Sequence, residues 1–372
     1  MANPQTAVEL LQALIRIPSV NPEGDPGTPH TGEQAIAEWL AGWLRAEFPG
    51  ARVELRDVLP GRPNVVARFS DGAEKKPRIL FAPHTDTVSV GGMTIDPFGG
   101  EVREGRVWGR GASDTKGTMA AMLWALRESR DRLGALGHEV WFAGLCSEEA
   151  GQYGARSLAE QERFDFVLAG EPTGLDAVVA HKGALWLTLT TRGRAVHAAQ
   201  PERGDNAIYK MADVLRCIRD EIPAVLGDAV HPLLGPTTIS AGTVKGGSKI
   251  NIVPDLCTAE ADIRYLPGDD AVLDRVSARL RGACADLEVA HSVSRPMVTD
   301  TSHPVIQLLR QCGSEIAGSA WFSDAGIFSV EGTPAIAIGP GSIAQAHTRD
   351  EWIAVEDLEN GVAFFRDFIA RL

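Results

Sequence analysis

The amino-acid sequence predicts an α/β protein, a mainly parallel sheet covered by helices, interrupted by an inserted α+β module of ferredoxin-like order. Three observations predict it. Short apolar runs such as Ile79-Leu-Phe-Ala82, Val140-Trp-Phe-Ala143, Val167-Leu-Ala169 and Ala335-Ile-Ala-Ile338 alternate with amphipathic stretches, the pattern of strands buried on both faces. Between about residues 178 and 292 the rhythm changes to β-α-β-β-α-β, the order of a ferredoxin-like module. The length of 372 residues exceeds what a single core commonly serves.

In chain order, residues 4–17 place Val8, Leu11, Leu14 and Ile15 at helical spacing, and Pro18 ends that helix. Residues 19–32, rich in Pro, Gly, Asn and Thr, read as a long loop. A second amphipathic helix carries Ile36, Trp39, Leu40, Trp43 and Leu44. Strands are expected over 53–55, 64–69 and 78–82. A helix over 116–130 has Met119, Met122, Leu123 and Leu126 on one face. In the inserted module, strands are expected over 185–191, 237–244, 259–265 and 287–293, with helices over 206–221 and 269–285. The two middle strands read as joined through a glycine turn at Gly246-Gly247. A helix over 304–317 and the last strands return to the first domain. The expected organisation is therefore 1–177 and 293–372 as one catalytic domain, around a lid or dimerisation domain at 178–292.

A composition of 44% hydrophobic and 23% charged residues is that of an ordinary globular protein. The formal net charge of -13 argues against a nucleic-acid partner, because phosphate binding needs concentrated Lys and Arg. The five cysteines, Cys146, Cys217, Cys257, Cys284 and Cys312, are dispersed without a CxxC pair. A reducing, cytoplasmic setting fits them better than a disulfide framework. The start of the chain lacks the basic and apolar regions of a signal peptide. No apolar stretch approaches the length of a membrane span, so no membrane partner is expected.

Acidic and histidine residues sit just past the apolar runs: His84 and Asp86, Glu148 and Glu149, Glu171, and His347 beyond a short glycine loop. Asp114 joins them from Gly111-Ala-Ser-Asp-Thr-Lys-Gly117. In open α/β sheets functional groups gather beyond the carboxyl ends of the strands. Carboxylates and imidazoles collected there suit a divalent metal, with a position left open for water. A paired site needs a bridging carboxylate, and Asp114 is the best candidate because glycines flank its loop just before a helix. His84 and Asp86 are two residues apart at a strand end and can face one side, so Asp86 can accept a hydrogen bond from the imidazole and fix its tautomer. Glu148 and Glu149 are adjacent, and adjacent side chains normally diverge, so one can bind metal while the other acts as general base. Taken singly, these residues have plainer readings. Asp114 also reads as a helix N-cap, Glu148-Glu149 as a solvated acidic pair, and Glu171 as a loop carboxylate.

His84-Thr-Asp-Thr-Val88, Gly109-Arg-Gly-Ala-Ser-Asp-Thr-Lys-Gly117, Ser147-Glu-Glu-Ala-Gly151, Gly170-Glu-Pro-Thr173 and Ala346-His-Thr-Arg-Asp-Glu-Trp352 resemble, in order, the motifs of the M20 metallopeptidase family. The resemblance implies a zinc exopeptidase-like fold and two Zn2+ per chain, with Co2+ suiting the same ligands. It assigns His84 and Glu171 to one metal, Glu149 and His347 to the other, and Asp114 as the bridge. Glu148 would be the base, with Asp86 orienting His84, and the Asp114–Thr115 peptide would be cis.

The resemblance extends into the inserted module. There, His197 matches a histidine that reaches the partner subunit's oxyanion in a homodimer, and Asn251 and Arg264 match substrate contacts. An arginine fork suits a carboxylate. Read plainly, His197 is a lid surface residue and Arg264 a structural ion-pair partner. Ala180-His-Lys-Gly183 and Gly339-Pro-Gly-Ser-Ile-Ala-Gln-Ala-His347 resemble the acetylornithine deacetylase branch. The Thr-Glu-Ala-Pro stretch usual there is missing near Ser323, and the desuccinylase pattern is half present as Ser323-Asp-Ala-Gly-Ile-Phe328.

The implied function is a cytoplasmic, homodimeric, dizinc amidohydrolase acting on a small N-acyl amino acid. The rival readings are a carboxypeptidase, dipeptidase or succinyl-diaminopimelate desuccinylase with the same metal site, and a non-catalytic metal- or ligand-binding protein.

Overall fold

A computed structural model describes residues 3–23, 28–69 and 76–372. The chain divides into two compact units, one of Met1–Val179, Val298–Ala317 and Ser323–Leu372, the other of Ala180–Met297 and Gly318–Phe322. The return of Gly318–Phe322 to the second unit has no counterpart in the sequence pattern. Of the loop expected over 19–32, residues 24–27 lie outside the described ones. The rest is tied down by Val20, which bridges in parallel to Thr87 and Thr31.

The first unit is built on a mixed sheet whose middle is parallel. Strands Glu139–Gly144, Arg78–Pro83, Phe166–Gly170 and Ala335–Ile338 are neighbours in that order, paired through Ile79 with Val140, Leu80 with Val167, and Ile336 with Leu168. Strands Arg62–Arg68 and Arg52–Leu59 extend one side antiparallel. Ala177–His181 pairs antiparallel on the other. The four central strands are buried almost throughout, as near-continuous apolar runs require.

Helices cover this sheet. Ala7–Ile15 is capped by Thr6, whose side chain accepts from the Glu9 N–H. Helix Lys116–Glu128 is buried along every face from Lys116 to Leu126, beyond the single face its periodicity marks. It packs against Ala7–Ile15, Val355–Ile369 and the strand Arg78–Pro83, which leaves it no solvent side. Phe81 on the sheet meets Phe365 and Phe368 of the last helix with ring centroids 6.0 and 6.2 Å apart. The helix expected over 304–317 stops at Gln311 and is followed by strand Ile316–Ser319. Gly313, at φ +98°, takes the left-handed turn that ends it.

A small three-stranded sheet, Glu101–Arg103, Arg106–Trp108 and Trp352–Ala354, pairs Trp108 with Trp352. It thereby fixes where the loops before and after those two residues lie.

The second unit is a four-stranded antiparallel sheet in the order Thr238–Gly246, Leu256–Tyr265, Gly183–Arg192, Glu288–Ser294. With helices Ala207–Asp220 and Val272–Ala283 this is ferredoxin-like. Leu185, Leu187 and Leu189 point into the helix-covered core, while Trp186 alternates outward. Asn206 caps the first helix, accepting from the Ile208 and Tyr209 N–H groups. The two middle strands, expected to join through a glycine turn at Gly246-Gly247, are joined by a loop over 247–255 that carries Asn251. Among the described residues no helix is long and apolar enough to cross a membrane, and all five cysteines are free.

Candidate metal centre

Four neighbouring parallel strands end at the site, each delivering a group beyond its carboxyl end. Arg78–Pro83 leads into His84, Glu139–Gly144 into Glu148 and Glu149, Phe166–Gly170 into Glu171, and Ala335–Ile338 into the loop of His347. Asp114 comes from the loop before helix Lys116–Glu128, and its peptide bond to Thr115 is cis. The strand ends crowd together. A Cβ at Gly339 would lie 2.3 Å from the Thr118 hydroxyl and 2.6 Å from the Glu171 carbonyl, so only glycine fits there.

The side chains converge in two groups with a common member. Ligand atoms of His84, Asp114 and Glu171 lie within 4.8 Å of one another, and so do those of Asp114, Glu149 and His347. His84 Nε2 is 3.1 Å from Asp114 Oδ1. His347 Nε2 is 3.1 Å from Glu149 Oε2 and 3.4 Å from Asp114 Oδ2. His84, Asp114, Glu148 and Glu171 are buried, whereas the His347 side chain is 57% exposed, which leaves the second group open to solvent.

Asp86 meets His84 with both its backbone and its carboxylate. His84 Nδ1 sits 2.9 Å from the Asp86 backbone carbonyl and 3.5 Å from its carboxylate. Donation from Nδ1 to that carbonyl aims Nε2 at Asp114. The Asp86 carboxylate also accepts the Glu148 N–H at 3.0 Å, the Glu149 N–H at 3.1 Å and the Asn21 amide at 2.8 Å. The preceding residue, Ser147, stands at φ +68°. Its N–H donates to Glu33 at 3.0 Å, and Glu33 is gripped by both nitrogens of the Arg62 fork at 2.7 and 2.8 Å. His347 is likewise left-handed, at φ +59°. Such conformations cost of order 1–3 kcal/mol and persist where the surroundings impose them.

The electrostatics of the described residues suit cations. Burial pushes the Glu148 carboxyl well up, and the Glu171 charge adds to it. Burial and the charge of Asp114 raise Glu171 and Glu149. Burial opposes the charged form of His84, but hydrogen bonds to Asp114 and Asp86 outweigh it and its pKa rises. Asp114 and Glu149 push His347 up to about 10. Glu149 Oε1 is buried with no hydrogen-bond partner among the described residues. Crowded carboxylates, imidazoles facing them and an orphaned carboxylate oxygen fit divalent cations. His84, Asp114 and Glu171 could hold one, and Asp114, Glu149 and His347 a second.

Several supporting residues escape sequence reasoning. Asn21, Glu33 and Arg62 lie far from the motifs they brace and carry no local signal. Gln152 donates to Asp324 at 3.2 Å. Burial, together with the Asp86 charge and against the pull of His84, pushes the carboxyl of Asp324 up to about 7. Glu351 stands inside the His347 motif, and only its contacts reveal its part.

The other candidates belong to the second unit. His197 bridges to Ile252, and its ring accepts the Ala199 N–H at 3.1 Å. The Ala198 N–H donates to the Asn251 carbonyl at 3.0 Å, so the loops of His197 and Asn251 are neighbours. Arg264 Nε is 3.0 Å from Asp262 on its own strand, and its guanidinium lies 5.7 Å from the Phe322 ring centroid. That pairing leaves the outer nitrogens of Arg264 for any further partner.

Comparison with known proteins agrees with this geometry. The profile of peptidase family M20/M25/M40 matches residues 80–371. An acetylornithine deacetylase of Proteus mirabilis (strain HI4320) is 32% identical over 372 aligned positions, covering 95% of this chain and 93% of the relative. The crystal structure of an M20 family metallo-carboxypeptidase from Sulfolobus solfataricus superposes with a TM-score of 0.82 at 20% identity, over 98% of this chain and 99% of that one. A dinuclear metal-binding M20 peptidase of Bacillus subtilis superposes at 0.67 and 15% identity, over 98% and 96% of the two chains. The chain therefore belongs to peptidase family M20/M25/M40, as a metal-dependent hydrolase.

Proposed function

We propose that this enzyme is a dizinc amidohydrolase that releases the acyl group of a small N-acyl amino acid, in the manner of an acetylornithine deacetylase. The observation that carries the reading is the pair of ligand groups sharing Asp114, with the buried carboxyl of Glu148 beside them. The 32% identical relative, matched nearly end to end, favours the deacetylase over a peptidase.

Zinc held by His84, Asp114 and Glu171 and by Asp114, Glu149 and His347 would make water nucleophilic at neutral pH and polarise the acyl carbonyl. Glu148 takes a proton from the attacking water and delivers it to the leaving nitrogen. Burial holds its carboxyl up, the direction that favours keeping the proton until it is handed to the leaving nitrogen. Asp86 holds the Glu148 backbone, and so the height from which that carboxyl reaches the water. Arg264 and Asn251 are assigned to the substrate, Arg264 to its carboxylate. His197 is assigned to the oxyanion of a neighbouring copy, with the second unit as the lid and dimerisation domain of a homodimer. The dispersed free cysteines suit the cytoplasm.

The test compares hydrolysis of N-acetylornithine, N-succinyl-diaminopimelate and a dipeptide set by the zinc-loaded protein. Preference for N-acetylornithine is expected, and a dipeptide turned over faster would replace the deacetylase reading with a dipeptidase one. Glu148→Ala should abolish turnover with zinc content unchanged, and retained turnover would remove Glu148 as the base.

A further inference from the structure

Glu351 follows His347 by one turn of loop and is completely buried. An ionised carboxylate in that position needs several donors, and Glu351 has four. Oε1 accepts the N–H groups of Ser113 at 2.8 Å and Asp114 at 2.9 Å. Oε2 accepts the Gly111 N–H at 3.1 Å and Arg110 Nη1 at 2.8 Å. Three backbone N–H groups of one loop thus converge on a single side chain, as they do around bound anions.

The brace closes on itself. Arg110 Nη2 donates to the Thr348 carbonyl at 3.2 Å, next to His347, and Nε to the Ser89 carbonyl at 3.1 Å. Strand pairing sets the register, with Trp108 opposite Trp352 and the Gly109 N–H donating to the Glu351 carbonyl at 3.0 Å. The segment bearing Asp114 and the segment bearing His347 are therefore one cross-linked piece. His84 and Glu171, by contrast, are set by the ends of their own sheet strands.

We infer that Glu351 is a positioning residue for the metal centre, holding Asp114 and His347 in register so that the more exposed group of three can bind its ion. The inference rests on the two-metal reading above. Glu351 acts through the backbone of Asp114, away from substrate. Two of the three ligands in the Asp114, Glu149 and His347 group hang on this brace, against one in the His84, Asp114 and Glu171 group. Loss of the brace weakens the second zinc equivalent more than the first.

The experiment titrates metal-free protein with Zn2+ in competition with a chromophoric chelator, alongside thermal unfolding. Wild type takes up two equivalents. Glu351→Gln keeps the side-chain shape but removes the charge and one acceptor, and its second equivalent binds about 10- to 100-fold more weakly, with the first little changed. Excess zinc restores its turnover. Should that variant not fold, Arg110→Lys, which gives up the Thr348 contact, carries the same expectation with a smaller effect. A folded variant that binds both equivalents as wild type does, or loses both equally, overturns the inference while leaving the two-metal reading intact. A wild-type chain that binds fewer than two equivalents overturns both.

Discussion

The carboxylate of Asp86 accepts the backbone N–H of Glu148 at 3.0 Å, and its other oxygen accepts that of Glu149 at 3.1 Å. One buried side chain thus holds the main chain of two adjacent glutamates with different proposed tasks. Asp86→Asn keeps the volume but turns one acceptor into a donor facing an N–H. Charge-assisted bonds of this kind contribute about 1.5–3 kcal/mol. The expected outcome is a kcat about 10- to 100-fold lower, with the circular dichroism spectrum unchanged. A kcat within error of wild type would show that the contact does not position the base.

Metal removal should destabilise the first unit. Without cations, burial raises the carboxyls of Glu148 and Glu171, with the charge of Glu171 adding to the first and that of Asp114 to the second. Binding to the folded state alone stabilises it by about 2.7 kcal/mol when free zinc is 100-fold above Kd. Calorimetry should therefore record a lower unfolding temperature for chelator-treated protein, restored by zinc. An identical temperature with and without zinc would contradict the assignment.

His181 supplies a pH dependence outside the metal cluster. Burial lowers its pKa to about 4, against the pull of its hydrogen bond to the Lys182 carbonyl. Above pH ~6.5, the ordinary imidazole value, the ring is neutral folded or unfolded. Between about 6.5 and 4 the unfolded chain binds a proton that the folded chain refuses, so stability falls as pH falls and levels off below. The loss is on the order of 3 kcal/mol. Urea unfolding at pH 7.5 and 4.5 should reveal a smaller acid loss in His181→Asn than in wild type, and equal losses would assign the acid limb to other groups.

Phe365 tests the core that carries the site. It is fully buried, and its ring stands edge-on to Phe81 at 6.0 Å, on the strand that ends at His84. Phe365→Ala should lower stability by about 3–5 kcal/mol in urea unfolding. A loss under about 1 kcal/mol would mean that the neighbouring phenylalanines collapse into the space.

Much of the fold was legible because burial writes itself into periodicity. The apolar runs ending at Pro83, Gly144, Gly170 and Ile338 became the parallel core of the sheet, and alternation at Leu185, Leu187 and Leu189 marked the antiparallel module. The helix expected to reach residue 317 ended at Gln311, since a glycine stop competes with an apolar pattern that runs past it. The strands expected to stop at 244 and resume at 259 run on to Gly246 and start at Leu256, leaving a loop over 247–255, because glycines mark a bend without setting where pairing stops.

By itself the sequence determined the residue types of the cluster, their order and their place after strands, for these are local properties of the chain. Only the tertiary structure decided which groups meet. It put Asp114 between His84 and His347, turned the Asp86 carboxylate to the main chain of Glu148 and Glu149, and buried Glu351 against a loop more than two hundred residues earlier. Those partners are chosen by strand order and by the need of each buried N–H and carboxylate for a match, and neither is written in any one segment.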